Sequence, residues 1–439
     1  MNKLTIFLQP LTALYFGAQA GSTAGEMAGH NTAPESLFPL PLSTLQGILR
    51  TRLLVGSGVK DINCIDSLVG TPEKLPADWQ IQGGFPAGFD NDALEIWLPI
   101  PFYLFKTHNK GNVYSFEIAR NYFPHEDLCY NPDDKPCYLA DEDFNKLQLS
   151  GVPGKGDVIQ GWLPARNMYK ILQLNDTQFQ WQKGKDFDFP YPPFVKLELK
   201  PGTAIEKDNL QTKESMLYAY KYLRFKQNSG FVAWFQGELS TELRQDVLQK
   251  GFITAGRKSG CVALKGNVDL SDSWNKIAQG EHFSGLQLHL DGKNSCYAWI
   301  VFITPGYVVS NQKDKLWEEL LKPLYNKARM ISPNIHLQTI SFLTGKPVLL
   351  TGYAMATKKR KRLFYAWPAG TSLLVKISGV TDLLTLENIL KEWNNRCLYA
   401  LNDTKSPFGK EFGYGHILVS APFKETWEEQ WPEHRSLYW

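Results

Sequence analysis

The sequence predicts an α+β protein, and three observations carry the prediction. Strand and helix patterns follow the order β-α-β-β-α-β, and that order occurs twice along the 439 residues. Each pass ends on a helix, a glycine-rich loop and a last strand. Residues 60–195 fit neither pass. The repeated order is the ferredoxin-like (βαββαβ, RRM-like) plan. The expectation is therefore two ferredoxin-like domains, residues 1–270 and 271–439, with a large irregular insertion, about 60–195, in the first.

The first pass opens on the apolar strand LTIFLQ (Leu4 to Gln9). A glycine-rich run from Gly17 to His30 leads to FPLPLSTLQGILRTRLL (Phe38 to Leu54). Pro39 and Pro41 hold the approach extended, because proline fixes its own φ and disfavours helix in the residue before it. Ser43 is placed as N-cap, and Ser43-x-x-Gln46 reads as a capping box. Leu45, Ile48, Leu49 and Leu53 share one helical face, while Gln46 and Arg50 share another at i, i+4. Strands follow at Ser215 to Phe225 and Gly230 to Glu238, both rich in aromatics. STELRQDVLQK (Ser240 to Lys250) reads as the second helix, with Gly251 as its C′ residue. GFITAGRKSGCVAL then turns through glycines into a strand ending near Leu264.

The second pass starts with CYAWIVFITP (Cys296 to Pro305), a continuous buried-strand pattern. DKLWEELLKPLYNKA is a helix with Leu316, Leu320, Leu321 and Leu324 on one side, bent or ended by Pro323. PVLLTGYAMA, RLFYAW and SLLVKI read as strands. TLENILKEWNN is amphipathic, with Leu386, Ile389, Leu390 and Trp393 at i, i+3, i+4, i+7 and Thr385 as cap. FGKEFGYGHILVSAPF supplies the last loop and strand. The stretch 60–195 is rich in Pro, Gly, Asp and Tyr (GGFPAGFDND, YNPDDKPC, SGVPGKGD, DFPYPP). It reads as a functional or partner-binding insertion, or as a decorated surface loop.

With 43% hydrophobic and 13% aromatic residues the chain can bury a full core, which excludes a disordered protein. A net charge of +3 is too mild to announce nucleic-acid binding by itself, so any polyanion site must come from local clustering. The six cysteines (Cys64, Cys129, Cys137, Cys261, Cys296 and Cys397) are scattered without a CxxC. That suits free thiols in a reducing compartment, and a cytoplasmic location is expected. His125, Cys129 and Cys137 cluster in an acidic loop, but their spacing matches no standard zinc pattern; no metal or other cofactor is expected. The N-terminus has a lysine, an apolar stretch and Ala18-Gln-Ala20, as a secretory signal would, yet Gln9 and Pro10 interrupt it. No apolar run is long enough to span a bilayer, and no membrane partner is expected.

In order, these pieces resemble the RAMP superfamily of CRISPR proteins, and within it the subunit of the type III-B (Cmr) effector complex that holds the 5′ end of the guide RNA. FPLPLSTLQGILRTRLL resembles the family's proline-flanked first helix. FVKLELKPGTAIEKDNLQTKESMLYAYKYLRF, from Phe194, resembles its Glu-x-Arg-x-Gly segment leading to a Leu-Tyr strand. ITAGRKSGCVAL takes the place of a Leu-Gly-Gly loop, and Thr304-Pro305 matches a Leu-x-Thr-Pro strand end. LLTGYAMATKKRKRLFYAWPAGTSLLVKI resembles a Gly-Trp to Pro-Ala-Gly-Ser hairpin, and FGYGHILV the final Gly-Phe-Gly loop. Lys200, Tyr353 and Thr371 depart from the family's Arg, Trp and Ser. The match skips residues 60–195.

The resemblance implies two ferredoxin-like domains, binding of the repeat-derived 5′ tag of the crRNA, and docking on the large polymerase-like subunit and the adjacent backbone subunit. It implies no target-cleaving activity. Guide holding needs phosphate neutralisation and base pockets. Three clusters are candidates. Lys358, Lys359, Arg360, Lys361 and Arg362 form a basic run at a hairpin tip, flanked by Tyr353, Phe364, Tyr365 and Trp367; a solvated tip over core aromatics explains them equally. Gly256, Arg257 and Lys258 form a second basic turn. Ser43, Thr44, Gln46 and Arg50 form the third, with Arg52 placed to meet a carboxylate within the protein. The alternative activity is a metal-independent RAMP endoribonuclease, for which His30 and His416 are the candidate acid–base groups. The tail PFKETWEEQWPEHRSLYW, with Trp427 and Trp431 at i, i+4, suits either docking or packing on its own domain.

Overall fold

The protein is described by a computed structural model covering residues 3–423 except 18–32, 61–64, 72–73, 91–92, 119–136, 139–156, 177, 206–211, 257–259, 285–294, 307, 310–328, 333–334, 346–347, 351–352, 355–358, 361–363, 381 and 398–411. The first strand, β1 (Leu4–Pro10), is apolar on both faces and buried at Ile6, Phe7 and Leu8. α1 (Leu42–Gly56) and α2 (Ile65–Val69) follow. Then come β2 (Gln80–Asp90), β3 (Ala93–Pro99), β4 (Leu104–Lys110), β5 (Val113–Ile118), β6 (Cys137–Tyr138), β7 (Asp157–Val158) and β8 (Trp162–Pro164). α3 (Ala165–Gln173) buries Met168, Ile171 and Leu172, the i, i+3, i+4 stripe of an amphipathic helix. After β9 (Gln178–Gln182), a long ribbon of β10 (Val195–Ile205) and β11 (Thr212–Phe225) leads to β12 (Ser229–Gln236), β13 (Lys250–Ala255) and β14 (Gly260–Gly266).

α4 (Asp272–Gln279) begins at Ser271, whose hydroxyl accepts from the Trp274 N–H. It leads to β15 (Ser295–Phe302), β16 (Val308–Val309), β17 (Arg329–Ser332), β18 (Ile335–Leu343), β19 (Val348–Leu350), β20 (Tyr353–Ala354), β21 (Lys359–Arg360), β22 (Phe364–Ala366) and β23 (Ser372–Ser378). α5 (Leu383–Trp393), β24 (Arg396–Cys397) and β25 (His416–Val419) complete the order.

Among the described residues two seven-stranded sheets dominate. One runs β13-β14-β1-β12-β2-β3-β8, the other β17-β18-β23-β15-β25-β24 with β6 beside β18. In each, four central strands are antiparallel neighbours and repeat one pattern: β14-β1-β12-β2 and β25-β15-β23-β18. Counted along the chain, both read fourth, first, third, second. β7-β4-β5-β9 form a separate four-stranded sheet.

Several expectations change. Gln80–Asp90 belongs to the first sheet although its composition places it in the insertion; β3 and β8 extend that sheet further. The GGFPAG stretch reads locally as a loop, but Gly83 and Gly84 form a bulge. Phe85 faces Val232 and Gly83 faces Ala233, which leaves Gly84 extra. The strand at 215–225 pairs with β10 rather than entering the first sheet. Of the helix expected at 240–250, a 3-10 turn at Gln245–Leu248 forms, because burying Val247 and Leu248 needs no more. Gly251 is consequently a β13 residue and caps nothing. The cap of α5 is Asp382, not Thr385; its carboxylate accepts from the Thr385 N–H and hydroxyl, both at 2.7 Å. The helix expected at 314–328 lies outside the described residues.

The first sheet separates two cores. α1 packs on the face carrying Leu4, Ile6 and Leu8, together with Phe231, Val262 and Leu264. The opposite face, with Phe7, Phe85, Val232 and Trp234, shares its core with Trp274 and with Trp299, Val301 and Leu418 of the second half. Trp234 stacks on Trp274 at 5.3 Å between ring centres, and Tyr103 on Trp299 at 4.9 Å. The two halves therefore meet through a continuous aromatic core.

Candidate functional site

The loop Phe412–Gly415 lies where the second sheet meets the start of α1. Thr304 anchors it: its hydroxyl donates to the Gly413 oxygen at 2.8 Å and accepts from the His416 N–H at 2.9 Å. Gly415 N–H donates to the Pro305 oxygen at 2.9 Å. Gly413 has φ +82°, and a Cβ there would sit 2.9 Å from the Ile81 oxygen and 3.5 Å from Leu42 Cδ2. Only a glycine lets the loop wedge between β2 and α1. Tyr414 is buried, makes a backbone hydrogen bond at Ser43, and has its hydroxyl pKa pushed up by burial.

Beside the loop runs a chain of polar contacts. Lys3 Nζ donates to Gln82 Oε1 at 3.0 Å and lies 4.7 Å from the Trp234 ring centre. Gln82 Nε2 lies 3.4 Å from Cys397 Sγ. His416 Nε2 lies 2.8 Å from Asn395 Oδ1, with Phe85 and Trp234 around the ring. His416 has no exposed surface, and burial, reinforced by the Lys3 charge, pushes its pKa down to about 3. It is a neutral group that joins the two sheets.

The third sequence cluster is rearranged by this packing. α1 begins at Leu42 after the extended Pro41, and no side chain caps it, so Ser43 is a half-exposed first-turn residue beside Thr44. Gln46 is 2% exposed and its Nε2 donates to the Ile81 oxygen at 3.4 Å. It faces β2. Arg50 donates to the Gly70 oxygen at the end of α2. Among the described residues Arg52 meets no carboxylate; it donates to the backbone oxygens of Val247 and Lys250 at 2.9 and 2.8 Å.

Of the second cluster, Gly256 sits in the β13–β14 turn at φ +73°, its Cα packed toward the Tyr15 oxygen. Arg257 and Lys258 lie outside the described residues. Of the basic run, Lys359 and Arg360 form β21, whose backbone pairs with Ala354 and Tyr353. Two of its five cations thus follow the hairpin's returning strand; Lys358, Lys361 and Arg362 lie outside the described residues. So do His30, His125, Cys129, Trp427 and Trp431. Among the described residues no group of His, Cys, Asp and Glu could hold a metal, and no helix is long and apolar enough to cross a membrane.

Sequence reasoning passes over one further face. On the ribbon, Lys196, Glu198 and Lys200 stand opposite Arg224, Tyr222 and Tyr220. Glu198 pairs with Arg224 and, at 3.5 Å, with Lys200; the Arg224 guanidinium holds its carboxyl below the usual range. Lys200 Nζ lies 5.0 Å from the Tyr222 ring centre. Tyr15 meets Tyr220 at 5.0 Å and Tyr222 at 5.3 Å. The signal is present as alternation: Tyr220, Tyr222 and Arg224 occur at every second residue, hence on one strand face. Tyr222 is buried in this cluster, which leaves the cations and the half-buried Tyr220 to meet phosphates and unstacked bases.

A family model described as CRISPR-associated protein (Cas_Cmr3) matches residues 9–421. No curated protein matches the chain. Among solved structures, a chain in the cryo-EM structure of the Type III-B Cmr-beta bound to cognate target RNA and AMPPnP is 14% identical, with 96% of this chain and 99% of that chain covered and a TM-score of 0.45. A chain of the same assembly bound to cognate target RNA is 15% identical over 95% and 96%, with a TM-score of 0.43. A chain of the Csm3-Csm4 subcomplex in the type III-A CRISPR-Cas interference complex is 10% identical over 85% and 92%, with a TM-score of 0.33.

Proposed function

The chain belongs to the Cas_Cmr3 family of CRISPR-associated proteins, and we propose that it is a non-catalytic subunit of a type III-B effector complex that holds the 5′ tag of the crRNA. On this reading each four-strand pattern is the sheet of one ferredoxin-like domain, and the seam at Phe412–Gly415 fixes the two domains against each other. The observation that carries RNA binding is the ribbon face, where Lys196, Lys200 and Arg224 are interleaved with Tyr220 and Tyr222. Tyr222 is buried against Tyr15 and beneath Lys200, so what this face offers a single strand is the half-buried Tyr220 for a base and Lys196, Lys200 and Arg224 for phosphates, without reading sequence. The β20–β21 hairpin, with Lys359 and Arg360 on its second strand, adds a second basic element. The chain's docking partners on this reading are the large polymerase-like subunit and the neighbouring backbone subunit.

A passive role is supported by the state of His416, which is buried, neutral and hydrogen-bonded to Asn395. The test is purification of the protein from cells that express its partners. Short RNAs sharing one 5′ sequence should accompany it, together with the other subunits. Random RNA, or none, sinks the reading, and so does cleavage of repeat RNA by the protein alone in EDTA.

A further inference from the structure

The geometry points to the free edge of β13 as a docking site for an extended acidic segment of a neighbouring protein subunit, added to the first sheet as an extra strand. The inference rests on the reading of the chain as part of a larger assembly. Among the described residues β13 is the outermost strand of its sheet. Its ladder with β14 fixes which of its amides point outward. Gly266 N–H donates to the Gln249 oxygen at 2.7 Å, so the closely bonded pairs are 249/266, 251/264, 253/262 and 255/260. Residues 250, 252 and 254 therefore present their N–H and C=O groups away from the sheet. The Lys250 oxygen is taken by Arg52. Those of Phe252 and Thr254 have no partner among the described residues.

A row of unpaired backbone groups is a template for another strand, and proteins usually blunt it. Here one such device, Lys250, stands at the start of the strand, while its centre carries an exposed ring. Phe252 is 65% exposed, on the side of the sheet away from α1, which it shares with Thr254 and with Ala263 opposite it. A ring that size left in water beside open amides suits strand addition, in which backbone bonds give affinity and side-chain contacts give specificity. The charge is one-sided. Lys250 and Lys265 face each other at one end and are both exposed, and neither β13 nor β14 contains an acid. The complementary segment is extended, apolar where it crosses Phe252 and acidic where it passes the two lysines.

The test is hydrogen exchange of the full chain, alone and in the assembly purified with its partners. The Phe252 and Thr254 amides should exchange fast in the free chain and at least tenfold more slowly in the assembly. Guide RNA alone, or a higher concentration of this chain alone, should leave them fast. Thr254→Pro removes an outward N–H without touching the β14 ladder, and Phe252→Ala removes the ring; each should release a partner subunit at least tenfold more readily while the free chain keeps its unfolding midpoint. Amides as fast in the assembly as in the free chain overturn the proposal, as does protection by RNA alone or by self-association, or purification with no partner at all. RNA content of the same preparation separates the readings: partners present without RNA of common 5′ sequence sink the tag-binding role and leave the edge result standing.

Discussion

Arg52 Nη2 donates to the Lys250 backbone oxygen at 2.8 Å, tying the middle of α1 to the start of the edge strand β13. The same guanidinium donates through Nε to Val247 at 2.9 Å. It lies against Gly251, where a Cβ would stand 2.1 Å from Nη2. Removing the side chain by Arg52→Ala strips the half-buried Val247 oxygen and the exposed Lys250 oxygen of a partner, at a cost of about 0.5–1.5 kcal/mol. Arg52→Lys cannot supply the fork and should recover less than half of that. Urea unfolding midpoints decide it, and equal midpoints for wild type and Arg52→Ala would show the clamp to be idle.

Two buried histidines set an acid limit. His282 donates from Nε2 to the Val419 oxygen at 2.8 Å, and burial pushes its pKa down to about 4 from 6.5. His416 is pushed from 6.5 to about 3. Both folded values lie below the unfolded one, so the unfolded chain binds more protons as pH falls. The stabilisation is complete above pH 6.5 and is lost progressively below it, down through the folded values. Each histidine should contribute a slope of roughly 1.4 kcal/mol per pH unit in that window. Unfolding free energies at pH 7.5, 6 and 5 should therefore fall steeply, and His416→Asn should reduce the slope by about one proton. A flat profile from pH 7.5 to 5 contradicts the neutral, buried state of both rings.

Gly83 and Gly111 separate backbone strain from packing. Both have positive φ, +105° and +62°. At Gly83 a Cβ would meet the Val232 oxygen at 2.6 Å and the Ala233 Cα at 2.7 Å, whereas at Gly111 nothing lies within 4 Å. Gly111→Ala should cost about 1 kcal/mol of strain. Gly83→Ala adds overpacking against a neighbouring strand and should cost about 2–6 kcal/mol in all. Equal losses in chemical denaturation would show that the bulge can yield.

How much of the fold is legible in the sequence follows from how local the deciding interaction is. β1, β15 and β23 show as apolar runs because both their faces are buried. α5 shows its stripe, but its cap reads three residues late because Asp382 and Thr385 are both good capping residues. β2 is hidden for a different reason. A glycine pair reads as a turn unless its register against β12 is known, and that register is a long-range fact. Gln46 and Arg50 look like a polar face waiting for a ligand; the backbone oxygens that accept from them, at Ile81 and Gly70, belong to segments whose position no helical periodicity can reveal. The ribbon face lies in the Tyr220, Tyr222, Arg224 alternation, but its partner Lys200 becomes visible only through cross-strand pairing.

Salt dependence can divide the RNA-binding work between the hairpin and the ribbon. For a single strand, each phosphate that is no longer neutralised makes the slope of log affinity against log salt shallower by about 0.7. Neutralising Lys358 to Arg362 with glutamine should lower both guide affinity and slope, and Lys196→Gln with Arg224→Gln should do the same through the ribbon. Tyr220→Ala removes a stacking surface worth roughly 1–3 kcal/mol per base and should weaken binding equally at every salt concentration. The comparison is informative because Arg224 already pairs with Glu198. If that pair persists on the RNA, Arg224→Gln will leave the slope unchanged while Lys196→Gln moves it. An unchanged slope for the five-residue hairpin variant would make Lys358 to Arg362 a solvated turn, and would leave the ribbon as the place where the guide is held.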